Sequence, residues 1–275
     1  MKISILGCGV FGTALSTYFS KKGHKVYLEC IEDSDTIIVS VPSYAVMEVL
    51  SNLKDEIIDQ RIIICSKGFD KNGKLLSESL KEEFPDNEVF FLYGPTLADE
   101  FEKGNFTAMV LAGTGEGLIE LKKEIEGDSL YIEISNDVVG VQISSALKNA
   151  VAIFVGIIEG VGLGQNTHAF VLSKGVEEIK NFGKVLGANS ETFLGLTCVG
   201  DLTLRSRNRE LGIEIGKGRK ITEFTPKLGS PEEGLMALKT ALIIAKEKGI
   251  EAPFLNVLHL VIFEGLEINK AIRML

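Results

Sequence analysis

Paired cysteines are missing from this chain. Cys8, Cys30, Cys65 and Cys198 form no CxxC and no metal-ligand spacing, which argues against a disulfide framework or a metal site and for reduced thiols in a cytoplasmic protein. An excess of positive charge is missing too. The formal net charge is −9, which argues against nucleic acid or an anionic membrane as a general partner while leaving room for a local basic pocket. No apolar run reaches the length expected of a membrane span. Gly7, Gly9 and Gly12 with Lys21-Lys22 spoil a signal-peptide pattern at the start, and the late apolar stretch from Val257 to Phe263, interrupted by His259, reads as a core helix. Low-complexity tracts, internal repeats and a flexible linker are likewise absent. What remains is 275 residues, 45% hydrophobic and 24% charged, the composition of a folded globular protein with room for one large or two modest domains.

The first third alternates short apolar runs with amphipathic stretches. Ile3 to Leu6, Val26 to Leu28, Thr36 to Val41, Arg61 to Cys65 and Val89 to Tyr93 read as strands, followed by weaker candidates at Ala108 to Leu111 and Leu130 to Ile134. This is the grammar of a parallel α/β sheet. From Asn136 onward helical periodicity takes over, broken by glycine-rich turns at Gly160 to Gly164, Gly183 to Gly187 and Gly216 to Gly218. The expected architecture is a Rossmann-like α/β domain with a mainly parallel sheet over residues 1–135, then an all-α domain over residues 136–275.

Ile3 to Leu6 runs into Gly7-Cys8-Gly9-Val10-Phe11-Gly12 and then a helical run. In that context GxGxxG predicts dinucleotide binding: one glycine for the turn, one for backbone approach to the pyrophosphate, one for helix–sheet packing, with Val10 and Phe11 at the helix start. A purely structural glycine turn is the alternative. Glu29, at the end of the second strand, stands where an acid accepts the adenosine ribose hydroxyls, and so favours NAD over NADP. Yet only six residues separate it from Thr36, too few for a crossover with its helix. A bare return along the sheet is one expectation and a vestigial helical turn starting at Glu29 another, so the choice between NAD and NADP stays open.

Strand ends supply more candidates. Val41-Pro42-Ser43, Ser66-Lys67-Gly68 and Gly94-Pro95-Thr96-Leu97-Ala98 all lie at carboxyl edges of predicted parallel strands, where open α/β sheets bind ligands. Lys67 is there either a cation for an anionic substrate or a surface lysine in a turn. Lys148 is the anomaly of the second half: an ammonium inside the apolar run from Val138 to Val161. Such a lysine is paired, lines a wet cavity, is tuned for proton transfer, or snorkels at a core edge. Ser145, Ala152 and Gly156 share its helical face and predict free room beside it. Asp201 can hold that ammonium, and Arg207 with Asn208 suits a phosphate, although an Arg-Asn-Arg run also fits a solvated helix start.

GCGVFGTAL, VPS, SKG, YGPTLADE, ALKNAVAIFVGIIEGVGLGQNTHAF, GVGDL, SRNR and EEGLMALKTA, in this order, resemble the NAD(P)-dependent glycerol-3-phosphate dehydrogenases through nearly the whole chain. The resemblance implies interconversion of dihydroxyacetone phosphate and sn-glycerol 3-phosphate, feeding glycerophospholipid synthesis, with a cleft between the domains as active site and a homodimer as assembly. It implies Lys148 as general acid/base and Lys67, Gly94, Thr96, Asn149, Asp201, Ser206, Arg207 and Asn208 around a phosphorylated substrate. Phe11, Lys67, Ala98, Arg207 and Glu233 match positions at the coenzyme, beside Gly7, Gly9, Val10, Gly12 and Glu29. Two segments are shorter than in the family, around Glu29 to Asp35 and between Asp201 and Ser206, and each bears on a binding site. The alternatives are a related two-domain reductase of a 3-hydroxy or 2-keto acid, and a non-catalytic coenzyme-binding sensor.

Overall fold

The structure, a computed structural model, describes residues 1–31, 33–220 and 232–275. Two compact units divide it, Met1–Gln142 and Ile143–Leu275.

The first unit is built on one seven-stranded sheet in the order β2-β1-β3-β4-β5-β6-β7. The strands are β1 (Lys2–Leu6), β2 (Lys25–Leu28), β3 (Thr36–Val39), β4 (Arg61–Ile64), β5 (Val89–Tyr93), β6 (Thr107–Ala112) and β7 (Leu130–Ser135). All seven expected strands are present. Every pairing is parallel except β5 with β6, and β3 and β4 are buried apart from the edge residue Arg61, as continuous apolar runs in a parallel sheet require. Helices α1 (Val10–Lys21), α2 (Val46–Ser51), α3 (Leu76–Glu83), α4 (Ala98–Glu102) and α5 (Gly117–Ile125) link the strands. Ile3, Ile5, Leu15, Phe19, Phe90 and Leu121 belong to a single buried cluster, and the Tyr18 hydroxyl donates to the Ile125 carbonyl at 2.8 Å, tying α1 to the end of α5.

Between β2 and β3 the chain crosses beneath β1 without a helix, so the bare return is the outcome. Glu29 does not start a helical turn, because its φ of 55° is left-handed. The turn comes later, with Ser34 N–H donating to the Ile31 carbonyl at 3.2 Å. Glu32 of the expected turn lies outside the described residues.

The second unit consists of helices α6 (Val138–Val161, its first turn in the first unit), α7 (Gly164–Val185), α8 (Arg207–Gly216), α9 (Glu232–Lys248), α10 (Pro253–Glu264) and α11 (Ile268–Ile272). A 3-10 turn at Ser190–Leu194 and a π-helical turn at Leu196–Gly200 precede α8. The absence of any span-length apolar run needs correcting. By length and composition α6 could cross a membrane, and Lys148 alone does not disqualify it; its apolar window is wholly buried in the protein, as befits a core helix. Phe154 of α6 packs on Phe254 of α10, ring centroids 5.1 Å apart. The Glu178 carboxylate on α7 caps α10, taking the Leu255 N–H at 2.9 Å and the Phe254 N–H. Burial raises the pKa of that carboxyl group, against the lowering effect of these two bonds.

Candidate active site

The three glycines after β1 answer to different demands. Gly7 has a φ of 100°, and a Cβ there would sit 2.7 Å from the Ser40 backbone; a Cβ on Gly12 would meet the Gly7 carbonyl oxygen at 2.0 Å. Both are required by the fold itself. Gly9 is not, since a Cβ there would meet nothing within 4 Å. A bare backbone facing open space at the cap of α1 suits close approach by a ligand, and the helix start offers N–H groups and a positive dipole end to a pyrophosphate. Val10 is exposed at the first helical position, while Phe11 is part-buried against the core with its ring 6.4 Å from Phe101.

Beyond β4 and β5 the chain forms a second set of groups. Lys67 Nζ donates to the Gly94 carbonyl at 2.9 Å, and the buried Tyr93 hydroxyl donates to the Ser66 carbonyl at 2.6 Å. The lysine turn is thereby fastened to the end of β5. Gly94 is tightly placed, for a Cβ would lie 2.8 Å from the Ala108 carbonyl oxygen on β6. Thr96 Oγ1 is buried with no hydrogen-bond partner. Ala98 starts α4 and packs against the core cluster.

In the second unit Lys148 is 4% exposed and its Nζ lies 3.0 Å from Oδ2 of Asp201, itself 4% exposed. The pair answers the charge anomaly of α6: the ammonium is buried with a carboxylate, not snorkelling at an edge. Asp201 arrives there from the π-helical turn, and the Ser144 and Thr197 hydroxyls, 2.7 Å apart, bind that turn to α6. The short segment after Asp201 therefore does not cost the lysine its partner. Cys198, beside the pair, has its thiol pushed up to about 12 by burial, with Lys148 pulling it down and Asp201 raising it. Asn149 follows Lys148 and is equally buried.

The small-residue stripe on α6 does not leave free room along its whole length. A Cβ at Gly156 would lie 2.1 Å from the Arg209 carbonyl oxygen, and one at Gly160 2.2 Å from that of Ile213. Gly212 of α8 is fitted as tightly, 2.0 Å from the Ile153 carbonyl oxygen. Two glycine-lined helices pack backbone to backbone here, which sets α8 against α6 about 12 Å, or eight helical residues, from Lys148.

At the start of α8, Ser206 serves as cap, its hydroxyl accepting from Arg209 N–H at 3.3 Å. Arg205 pairs with Glu210, and Arg209 pairs with Glu159 at 3.0 Å. Arg207 is exposed and has no ion-pair partner among the described residues. Of the three guanidiniums it is the one that, among the described residues, no carboxylate pairs with. Asn208 Oδ1 is buried without a partner and faces Gly234, where a Cβ would sit 2.3 Å from it. Glu233 is half-buried in the first turn of α9. His168 lies by Arg209 and Glu159, its pKa lowered first by burial and then by Arg209.

Buried polar atoms are nearly always paired, so the unpaired ones are informative. Thr96 Oγ1 and Asn208 Oδ1 fall on residues expected to touch substrate. Ser145 Oγ is a third such atom, fully buried one helical turn before Lys148. Sequence reasoning counted Ser145 only as a small residue; nothing in its spacing marked a hydroxyl that would be left without a partner.

Residues 137–273 match the family model described as the NAD-dependent glycerol-3-phosphate dehydrogenase C-terminus, and residues 27–118 match the N-terminal model of the same family. A glycerol-3-phosphate dehydrogenase [NAD(P)+] of Thermoanaerobacter sp. is 32% identical over 317 aligned positions, covering 99% of this chain and 96% of the relative. The chain belongs to the NAD-dependent glycerol-3-phosphate dehydrogenase family. The aligned positions outnumber the 275 residues of the chain, so this dehydrogenase dispenses with segments its relative carries. The crystal structure of the Coxiella burnetii glycerol-3-phosphate dehydrogenase matches with a TM-score of 0.92 at 28% identity, covering 99% of this chain and 97% of that one. A 2-dehydropantoate 2-reductase from Methylococcus capsulatus matches at a TM-score of 0.62 and 14% identity over 98% of this chain and 97% of its own, which speaks for a shared fold alone.

For this family member the Tyr93 anchor makes a prediction. Tyr93→Phe leaves the buried Ser66 carbonyl without its donor, costing about 1 kcal/mol of stability. If that bond holds Lys67 in place, steady-state assays should show a substrate KM raised about 3- to 10-fold with kcat little changed. An unchanged KM would reduce the bond to a structural one.

Proposed function

We propose that this chain interconverts dihydroxyacetone phosphate and sn-glycerol 3-phosphate, the product serving as a glycerophospholipid backbone. One observation carries the chemistry: a lysine and an aspartate, each 4% exposed and 3.0 Å apart, are buried together, the lysine on a mostly apolar helix. NAD(P)H, held at the glycine loop when bound, would supply the hydride for the carbonyl at the substrate's second carbon. Lys148 then meets the negative charge developing on the carbonyl oxygen and delivers its proton there, while Asp201 keeps the ammonium charged and oriented. In the reverse direction Lys148 removes the hydroxyl proton. The phosphate falls to Arg207, with Asn208 beside it. The fit of the first unit to a dinucleotide rests on open Gly9 and the start of α1.

The purified protein is expected to oxidise NADH or NADPH only when dihydroxyacetone phosphate is added. Arg207→Ala should raise the KM for that substrate about 10- to 100-fold, the loss of one charge-assisted contact. Equal turnover of unphosphorylated dihydroxyacetone, or an unmoved KM in the variant, would refute the phosphate assignment.

A further inference from the structure

The helixless crossing from β2 to β3 leaves the adenosine end of the coenzyme site in the hands of one side chain. Glu29 follows β2 directly, and its N–H donates to the Ile5 carbonyl on β1 at 3.0 Å. Its left-handed φ of 55° is unusual for a residue other than glycine, asparagine or aspartate. That conformation turns the side chain back toward the glycine loop, where Oε1 accepts from Gly7 N–H at 3.1 Å and from Cys8 N–H at 2.9 Å. Glu29 is thus fixed at three points, by its own N–H to β1 and by Oε1 to two N–H groups of the loop, and among the described residues no N–H donates to Oε2. The Cys8 thiol registers the charge: its pKa is raised, by burial and then by the hydrogen bond and the charge of Glu29.

The charged residues of the segment itself have one sign. From Glu29 to Asp35 the sequence holds four acids and no lysine, arginine or histidine. Of two nearby cations one pairs with an acid of this segment and, among the described residues, neither pairs with Glu29. Lys2 Nζ is 3.8 Å from Asp33, and Lys25 Nζ stands 4.9 Å above the Tyr27 ring. An acid at the end of the second strand accepts ribose hydroxyls, whereas a 2′-phosphate at that place calls for an arginine. Nothing in this segment supplies one.

We infer that Glu29 makes this chain selective for the coenzyme with a free 2′-hydroxyl, NAD(H), over the 2′-phosphorylated NADP(H). The inference rests on the proposed reaction for its turnover assay and is independent of it in binding. The 2′-phosphate would bring nearly two negative charges against a carboxylate that its backbone bonds hold in place. The ribose hydroxyls of NAD(H) instead find an acceptor already placed.

The test compares NADH and NADPH in two ways, by kcat/KM with dihydroxyacetone phosphate and by Kd from coenzyme fluorescence. The wild type should favour NADH by on the order of 100-fold in both. Glu29→Gln keeps an acceptor oxygen for the two loop N–H groups and removes the charge, so the ratio should fall to about 10 or less. A wild type that takes both coenzymes alike or prefers NADPH overturns the inference, as does a ratio unchanged in the variant. Turnover with no preference leaves the reaction standing and removes the selectivity. Selective NADH binding without dihydroxyacetone phosphate turnover does the reverse. Binding of neither coenzyme removes both.

Discussion

Lys148→Met is expected to lower kcat for dihydroxyacetone phosphate reduction about 100- to 10,000-fold, the range a positioned general acid contributes. Methionine nearly matches the lysine stem in length and is unbranched and adaptable, so the packing along α6 can be kept while the proton and the charge are lost. NADH titrated by fluorescence should bind the variant about as it binds the wild type, because the glycine loop and Glu29 belong to the other unit. Both readouts are needed. Turnover that survives the substitution would show that Lys148 is not the acid. Coenzyme binding without turnover in the wild type itself would favour a sensor that keeps the fold and has lost the reaction.

The second large effect concerns stability. Asp201→Leu strips a buried ammonium of its carboxylate, and breaking a buried pair from one side costs about 3–5 kcal/mol. Urea unfolding should show that loss as a lower midpoint with little change in slope. Lys148→Met combined with Asp201→Leu should regain most of it, since an apolar pair of similar volume replaces two desolvated charges. If the double variant is no more stable than Asp201→Leu alone, the pair is not what holds this site together. A fully stable but inactive double variant would show that the ion pair is kept for chemistry and adds little to folding.

Much of this molecule was readable along the chain. The seven strands follow from short apolar runs between glycines and polar turns, a local signal that parallel pairing reinforces at β3 and β4 by burying both faces. Gly7, Gly9 and Gly12 mark a candidate coenzyme loop because strand, turn and helix are adjacent in sequence. The six residues after Glu29 excluded a crossover helix by length alone. Lys148 stood out because charge in an apolar run is costly wherever the chain folds.

Other features needed three dimensions, since they depend on residues far apart in sequence. Asp201 reaches Lys148 only through a π-helical turn hooked to α6 by Ser144 and Thr197, a geometry no spacing of 53 residues encodes. Gly156 looked like open space beside the lysine until the backbone of α8 was seen to fill it. Arg205, Arg207 and Arg209 are alike in sequence. Folding commits the outer two to Glu210 and Glu159, and among the described residues Arg207 has no ion-pair partner, because the fold decides which cation is satisfied. Glu29 was legible as an acid in the right place. Its left-handed backbone and its bonds to Gly7 and Cys8 exist only once β1 and β2 lie side by side. Residue order determines element type and the cost of a misplaced charge, both local properties; which polar groups are satisfied by the protein, and which are left for a ligand, is settled by packing between distant segments.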